Sequence, residues 1–166
     1  MNSDKQHFRK LKVEELNRLS VEEFKQQPKI SISIVLDNIR SLHNIGSLFR
    51  TADAFKLAHI YLCGFTATPP HREIRKTALG ATESVSWSYH KDIIACVNDL
   101  KKSEKARIIG VEQTENSVML QEFEMDTQFD CVLIFGNEVD GIQQEVLDLC
   151  DGVVEIPQFG TKHSLN

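Results

Sequence analysis

The sequence lacks any apolar run that approaches the roughly 20 residues a membrane-spanning helix requires. Its first residues, MNSDKQHFRK, are polar and lack the apolar core of a secretory signal peptide. These absences disfavour a membrane protein and a secreted protein, so we expect a cytoplasmic location. The hydrophobic fraction of 41% and the charged fraction of 26% are typical of one globular domain in a chain of 166 residues.

Paired cysteines and the common nucleotide signatures are also missing. The four cysteines are Cys63, Cys96, Cys131 and Cys150. They form no CxxC or Cys/His pair, and each lies in an apolar stretch of sequence. This disfavours a disulfide framework and a zinc site, so we expect buried free thiols and no bound metal. No GxGxxG follows a predicted strand, and neither GxxxxGKS/T nor GxSxG occurs. A conventional dinucleotide site, a P-loop and an α/β-hydrolase are therefore disfavoured.

The chain does contain strands and helices in alternation. Residues 1–29 predict a helical leader in which Ser20 and Glu23 are spaced as a capping box. Residues 30–37 predict a strand, and 44–57 predict a helix with Asn44 as its N-cap. The other predicted strands are 58–65, 85–90, 106–113, 129–138 and 152–157, and the other helices lie within 73–85 (broken at Gly80), 92–103 and 142–150. This order predicts an α/β fold, a mainly parallel sheet flanked by helices, in a domain of residues 30–166.

Three polar segments follow predicted strands, where ligands of parallel α/β sheets bind. In DNIRSLHNIGSLFR (37–50), Asn44 and Gly46 are predicted at a helix start that attracts an anion, and Arg50 is placed to meet a phosphate. For this segment alone, we prefer the simpler interpretation of an N-cap followed by a solvated arginine. The glycines of GNEVDG (136–141) favour the close approach of a ligand over a plain turn. The third segment, IPQFGTKHSLN (156–166), is by itself an ordinary terminal loop.

Together and in this order, the segments resemble the three signature motifs of the SpoU/TrmH branch of the SPOUT RNA methyltransferases. The first motif has the form NxGxxxR, matched by Asn44, Gly46 and Arg50. The second is an apolar strand followed by GNExxG, matched by VLIFGNEVDG. The third has the form IPMxGxxxSLN, matched by IPQFGTKHSLN with Gln158 in place of the usual methionine. The resemblance spans residues 30–166.

The resemblance implies a SPOUT-type fold with a C-terminal trefoil knot, a homodimer, and methylation of a ribose 2′-hydroxyl in structured RNA by S-adenosylmethionine. The implied cofactor-binding residues are Glu112, Gly136, Ile156, Gln158 and Leu165. The implied catalytic and RNA-facing residues are Asn44, Arg50, Glu138, Ser164 and Asn166. The family continues into a last helix that completes the knot and the dimer face, so we expect the natural chain to extend past Asn166.

The implied chemistry suits Arg50 as a binding group rather than as a base. A guanidinium stays protonated in proteins, so it is not a free general base at neutral pH. We interpret Arg50 as binding an RNA phosphate and orienting or polarising the 2′-hydroxyl, with Ser164 or that phosphate in the proton path.

The charge distribution is compatible with a polyanionic partner. Residues 1–80 hold 13 Lys/Arg and 8 Asp/Glu, whereas residues 81–166 hold 6 and 16. An asymmetry of this size also occurs without any function. With RNA as the implied partner, recognised by its 2′-hydroxyl, the candidate phosphate contacts are Arg40, Arg72, Arg75 and Lys76. The sequence does not choose between transfer and ribosomal RNA.

Other interpretations remain open at the level of sequence. A module of the same fold that binds RNA or cofactor without catalysis is one. A doubly wound α/β signalling or nucleotide-binding module is another, but it has no phosphate fingerprint and leaves 156–166 unexplained. Among methyltransferases, a base nitrogen is an alternative acceptor, although NxGxxxR favours ribose.

Overall fold

The computed structural model describes residues 8–161. The strands in that range are β1 (Ile30–Asp37), β2 (Leu57–Cys63), β3 (Trp87–His90), β4 (Ala106–Val111), β5 (Val118–Met119), β6 (Asp130–Phe135) and β7 (Gly152–Glu155). The helices are α1 (Val21–Gln26), α2 (Leu42–Ala54), α3 (Arg72–Ala78), α4 (Ala81–Ser84), α5 (Ile93–Lys101) and α6 (Gln144–Leu147), with 3-10 turns at Val13–Leu16 and Leu120–Glu122. The strands form one sheet in the order β3-β2-β1-β6-β4-β7-β5, and every neighbouring pair is parallel. The predicted parallel α/β fold is confirmed.

Apolar side chains build a core on each face of this sheet. On one face, Phe49 of α2 and Ile74 of α3 are completely buried against β1 and β2. On the other face, Val97 of α5 and Val146 of α6 are completely buried against β4 and β6. Helices therefore cover both faces, which explains why the central strands are apolar along most of their length.

The amino-terminal segment is less helical than predicted. Between residues 8 and 29, only the Val13–Leu16 turn and α1 are helical, and Asn17 between them has a left-handed φ of 48°. The capping box is confirmed, because Glu23 N–H donates to Ser20 Oγ at 3.2 Å and Ser20 N–H donates to the Glu23 carboxylate at 2.8 Å. The leader is therefore two short turns rather than one continuous helix.

Helix α2 begins at Leu42, and the prediction of Asn44 as its N-cap is wrong. Ser41 caps the helix, with its Oγ accepting the N–H of Asn44 at 3.2 Å. Serine and asparagine are comparable caps, so the sequence alone did not separate the two positions.

Gly46 lies inside α2 and permits close packing between two helices. A Cβ at this position would overlap the Thr77 hydroxyl and the Ile74 carbonyl oxygen, both on α3. The residue type is therefore explained by the approach of α3 rather than by a ligand.

Several other predicted elements are longer than the observed ones. Strands β4, β6 and β7 end at Val111, Phe135 and Glu155, and α6 keeps only four of the predicted residues. Strand β5 was not predicted, because two residues carry no recognisable alternation. The break between α3 and α4 at Gly80 is confirmed, with a left-handed φ of 92° at that glycine.

The predicted burial of the cysteines is confirmed for Cys63, Cys96 and Cys131, while Cys150 is half-buried. Burial raises the pKa of the Cys131 thiol, which keeps that thiol protonated at neutral pH. Among residues 8–161, no three His, Cys, Asp or Glu side chains are grouped as metal ligands. Within the same range, no helix combines the length and the apolar character needed to cross a membrane.

Candidate active site

Four neighbouring strands send the loops that follow them to one edge of the sheet. Near their carboxyl ends, Leu36 of β1 pairs with Phe135 of β6, which pairs with Val111 of β4, which pairs with Val154 of β7. The motif segments follow three of these strands. The fold therefore gathers 37–50, 136–141 and the described part of 156–166 at one edge.

The carboxylate of Glu138 joins the first two motif segments. It accepts hydrogen bonds from the N–H groups of Arg40 and Ser41, both at 2.9 Å, and from Asn44 Nδ2 at 3.1 Å. Partial burial acts to raise the pKa of Glu138, but these hydrogen bonds outweigh burial and hold the pKa below its ordinary value. Two predicted catalytic residues, Asn44 and Glu138, are thus in direct contact, and Glu138 is ionised at neutral pH.

The same contacts change the role expected for the start of α2. The N–H groups of Arg40 and Ser41 donate to Glu138, and the N–H of Asn44 donates to Ser41. A carboxylate of the chain itself therefore occupies the place predicted for an external anion. The structure thus agrees with the simpler interpretation of this segment, a capped helix start followed by an exposed arginine, with Ser41 as the cap.

A second side chain bridges the same two segments. Asn137 Nδ2 donates to the carbonyl oxygen of Asn38 at 2.7 Å. Asn137 Oδ1 accepts the N–H groups of Val139 at 2.8 Å and Asp140 at 3.2 Å. One amide therefore fixes both the shape of the GNEVDG loop and its distance from β1.

Glycines allow that loop to close on itself and on β4. A Cβ at Gly136 would overlap the backbone of Gly141 and Ile142, and a Cβ at Gly141 would overlap the Glu112 carboxylate. Glu112 accepts the N–H of Ile142 at 3.0 Å and the N–H of Gln113 at 2.8 Å. The predicted cofactor residues Glu112 and Gly136 are thus brought together through Gly141 and Ile142.

The third motif segment is described only in part. Ile156 and Gln158 are half-buried after β7. The backbone groups of residues 156–160 make no hydrogen bond with any other part of the chain between residues 8 and 161. The predicted residues Ser164, Leu165 and Asn166 lie outside the described residues.

Arg50 lies apart from the Glu138 contacts. It is exposed on α2, on the same face as His43 and Ser47 and away from the buried Ile45. Its guanidinium makes no hydrogen bond or ion pair inside the described range of 8–161. The structure leaves this side chain accessible to an external anion and does not bring it to Glu138.

Three of the four predicted RNA contacts line one cavity. Arg72, Arg75 and Lys76 of α3, with Pro70 and His71, line a cavity of about 390 Å³. Lys76 is paired with Glu73 of the same helix at 2.8 Å. The guanidinium groups of Arg72 and Arg75 have no hydrogen bond or ion pair with the described residues. The fourth predicted contact, Arg40, is exposed in the first motif segment, 37–50.

Sequence reasoning missed the side chains that anchor the end of β1. Asp37 is only 1% exposed, and its burial raises its pKa although Asn38 Nδ2 donates to it at 2.9 Å. Asn38 has a left-handed φ of 54°. Thr66 Oγ1 accepts the N–H of Ile39 at 2.9 Å. Asp-Asn after a strand is a local turn signal, whereas Thr66 lies 27 residues from its partner and carries no local signal.

The comparison with known families decides the assignment. The model of the SpoU rRNA methylase family matches residues 31–166. This chain belongs to that family. A Staphylococcus saprophyticus protein named as a TrmH family tRNA/rRNA methyltransferase is 30% identical over 147 residues, which cover 86% of this chain and 55% of the relative. The 23S rRNA (guanosine-2′-O-)-methyltransferase of Neisseria meningitidis is 29% identical over 133 residues, covering 80% of this chain and 52% of that protein.

The SpoU chain thus spans about half the length of these curated relatives. Its fold agrees with that of an rRNA methyltransferase from Sinorhizobium meliloti solved with S-adenosylmethionine, at a TM-score of 0.75 and 23% identity, over 86% of this chain and 54% of the other. At this identity, the likeness shows the fold alone. Residues 162–166 lie outside the described range, and the predicted trefoil knot stays a prediction.

Proposed function

We propose that this chain methylates a ribose 2′-hydroxyl of a structured RNA, with S-adenosylmethionine as the methyl donor. The observation that carries the proposal is the Glu138 carboxylate, which binds Arg40, Ser41 and Asn44 and so assembles the first two motif segments. Membership of the SpoU family supports it, as do relatives named as methyltransferases of ribosomal or transfer RNA, one at a guanosine 2′-oxygen. Transfer RNA and ribosomal RNA both fall within the proposal.

The cofactor would be held by the loops after β4, β6 and β7. The residues assigned to it are Glu112, Gly136, Ile156, Gln158 and Leu165. The described ones suit a nucleoside-containing ligand, because the backbone groups of the half-buried residues 156–158 have no partner within residues 8–161 and Gly136 adds no side chain to the loop. When bound, the cofactor supplies a sulfonium methyl group.

The residues of the chain then have to hold the ribose in line with that methyl group. Alignment of reacting groups can supply about 7–11 kcal/mol of a barrier. In this proposal, Arg50 binds an RNA phosphate and orients or polarises the 2′-hydroxyl. Asn44 and Glu138 fix the start of the helix that carries Arg50. Ser164 or the phosphate lies in the path by which the proton leaves the 2′-hydroxyl, and Asn166 lies in the same segment.

We name the cavity lined by Pro70, His71, Arg72, Arg75 and Lys76 the basic cavity and assign it to RNA binding. Arg40, Arg72, Arg75 and Lys76 contact RNA phosphates. The active unit is a homodimer, and residues 1–29 form a leader to the methyltransferase domain. The free cysteines suit a reducing compartment such as the cytoplasm.

The test is a calorimetric titration of S-adenosylhomocysteine into the purified chain, followed by transfer of a labelled methyl group to transfer and ribosomal RNA. We expect saturable binding near one site per chain and label in 2′-O-methyl nucleosides after hydrolysis. Label on a base nitrogen would contradict the ribose assignment. Binding of RNA without any transfer of label would instead favour a non-catalytic module.

A further inference from the structure

A cavity rich in aromatic side chains lies beside the candidate active site, and none of the motifs accounts for it. It has a volume of about 400 Å³ and is lined by residues 64–68 and by Trp87 and Tyr89 of β3. Phe65 is 63% exposed and Tyr89 is 49% exposed. Its volume is within the range of small-molecule sites, about 300–1,000 Å³, and two of its three rings are exposed to solvent.

Contacts inside the protein fix the walls of this aromatic cavity. The Trp87 ring packs edge-on against Phe49, with ring centroids 6.5 Å apart, so it is anchored in the core. The Tyr89 hydroxyl donates to the Gly64 carbonyl oxygen at 2.8 Å. Two of the three rings are therefore already held before anything binds, which lowers the entropic cost of binding.

Hydrogen bonds join the aromatic cavity to the candidate active site. Asn38 Oδ1 accepts the N–H of Phe65 at 3.0 Å, and the Asn38 carbonyl oxygen accepts Asn137 Nδ2 at 2.7 Å. A single residue, Asn38, thus connects Phe65 with the loop that carries Glu138. A ligand group in the cavity would lie next to a ribose held at that loop.

The loop that forms the aromatic cavity leads directly into the basic cavity. Pro70 and His71 follow that loop and line the basic cavity together with Arg72, Arg75 and Lys76. Exposed rings beside exposed guanidinium groups are the combination by which proteins bind unpaired nucleic acid. Bases stack on the rings while phosphates meet the cations.

We propose that the aromatic cavity binds an unpaired nucleobase of the RNA substrate, stacked on Phe65 and bounded by Trp87 and Tyr89. Arg72 and Arg75 hold the phosphates next to that nucleotide. The inference rests on the proposed function, since it takes RNA as the substrate. It adds a criterion for substrate selection: the nucleotide beside the methylated ribose must be unpaired, because the faces of a base in a duplex are covered by its neighbours.

The chain contains one tryptophan, Trp87, so its emission reports on the wall of this cavity without a contribution from any other tryptophan. We would titrate the protein with a short single-stranded RNA and with a fully paired duplex of the same sequence. The single strand should produce a saturable change in Trp87 emission, and the duplex should produce little change. No response, or equal responses to both RNAs, would overturn the proposal.

Variants of Phe65 separate stacking from general apolar contact. Phe65→Ala should weaken binding of the single strand about tenfold, because stacking on a protein ring contributes about 1–3 kcal/mol per base. Phe65→Tyr should bind like the wild type, and Phe65→Leu should bind like Phe65→Ala. The matched control is Phe55→Ala. Phe55 is 66% exposed, but it lies between α2 and the start of β2, at the amino ends of the strands and away from the cavity.

The outcomes distinguish this inference from the proposed function. Wild-type affinity in Phe65→Ala or in Phe65→Leu would overturn the stacked base, and methyl transfer by those proteins would leave the proposed function standing. A Trp87 response to single-stranded RNA without cofactor binding would contradict methylation and support the cavity. Because Phe65 is exposed, all variants should melt like the wild type, which circular dichroism checks.

Discussion

At the scale of single residues, hydrogen bonds rather than apolar burial hold the candidate site together. Glu138 receives its donors from residues 94 to 98 positions earlier in the chain. An ionised carboxylate suits this place because it only accepts, whereas a glutamine would turn an NH₂ group toward backbone N–H groups. The charge of Glu138 is thus a structural requirement as well as a feature of the motif.

We therefore expect Glu138→Gln to lower the free energy of unfolding by roughly 1–2 kcal/mol at neutral pH, a value reduced by solvent screening. Because the folded protein holds the pKa of Glu138 below its ordinary value, this stabilisation is complete above the ordinary pKa of a glutamate. It is lost as the pH falls through the lowered pKa. Urea unfolding of both proteins across the acidic range measures the difference.

The control for this experiment is Glu115→Gln, an exposed glutamate whose side chain has no partner within residues 8–161. It should leave the unfolding free energy unchanged at every pH. A difference between Glu138→Gln and the wild type that persists undiminished in strong acid would show that shape rather than charge is responsible.

Arg50 gives a second prediction at this scale. Arg50→Lys keeps the positive charge but loses the planar pair of donors that meets a phosphate in two places. Since small misplacements of reacting groups cost on the order of 100-fold in rate, we expect a comparable loss of methyl transfer. Calorimetry should show unchanged affinity for S-adenosylhomocysteine. A lysine variant that keeps most of its activity would remove the bidentate contact from the proposed mechanism.

At the scale of elements, the packing of α2 on α3 connects the first motif to the basic cavity. Gly46 of α2 permits the contact, and α3 carries the exposed guanidinium groups of Arg72 and Arg75. Thr77 of α3 also donates to the His43 carbonyl oxygen at 3.1 Å. A change in the distance between these helices would therefore move Arg50 relative to Arg72 and Arg75.

Gly46→Ala tests this packing. Alanine would gain about 1 kcal/mol of helix propensity, but its Cβ would overlap Thr77 and Ile74, so we expect a net loss of about 1–3 kcal/mol in the free energy of unfolding. Ser47→Ala, at the next and exposed position, should stay within about 0.5 kcal/mol of the wild type. Equal stability of Gly46→Ala and the wild type would mean that α3 moves away at no cost.

Elements with a strong local pattern could be predicted from the sequence, and those set by distant contacts could not. Strand β1 was predicted residue for residue, because its apolar alternation is bounded by Pro28 and by the Asp-Asn turn. The predicted ends of β4 and β6 were too long, since the side chains of Glu112 and Asn137 after them bond to the backbone of other loops. The start of α2 was misplaced because Ser41 and Asn44 are both good caps.

In the candidate site, too, residues in a recognisable motif could be predicted, and contacts between distant parts of the chain could not. The motifs predicted that Asn44, Glu138 and Gly136 belong to one site, and the contact between Asn44 and Glu138 confirms the proximity of two of them. The aromatic cavity was not predicted, because Phe65 and Trp87 lie on different elements and neither belongs to a motif. Only the pairing of β2 with β3 brings them together.

At the scale of the whole molecule, the order of strands turns a charge asymmetry in sequence into one in space. Residues 1–80, with 13 Lys/Arg against 8 Asp/Glu, contain β1, β2, α2 and α3. Residues 81–166, with 6 against 16, contain β6, β4, β7 and β5, which are neighbours on the other side of β1, and place only the short β3 and α4 on the side of β2. A polyanion is therefore attracted to the side of β2 and α3 and repelled from the other.

This separation predicts how RNA binding depends on salt. Because each phosphate contact releases counterions, Arg75→Ala should weaken binding of transfer RNA regardless of sequence and reduce the slope of log affinity against log salt by about 1. Lys105→Ala removes an exposed cation from the acidic half of the molecule, so the slope should not change. Fluorescence anisotropy over a range of salt concentrations measures both slopes. If Arg75→Ala kept the slope of the wild type while Lys105→Ala reduced it, RNA would lie across the acidic half, and both the basic cavity and the aromatic cavity beside it would be excluded from the path of the RNA.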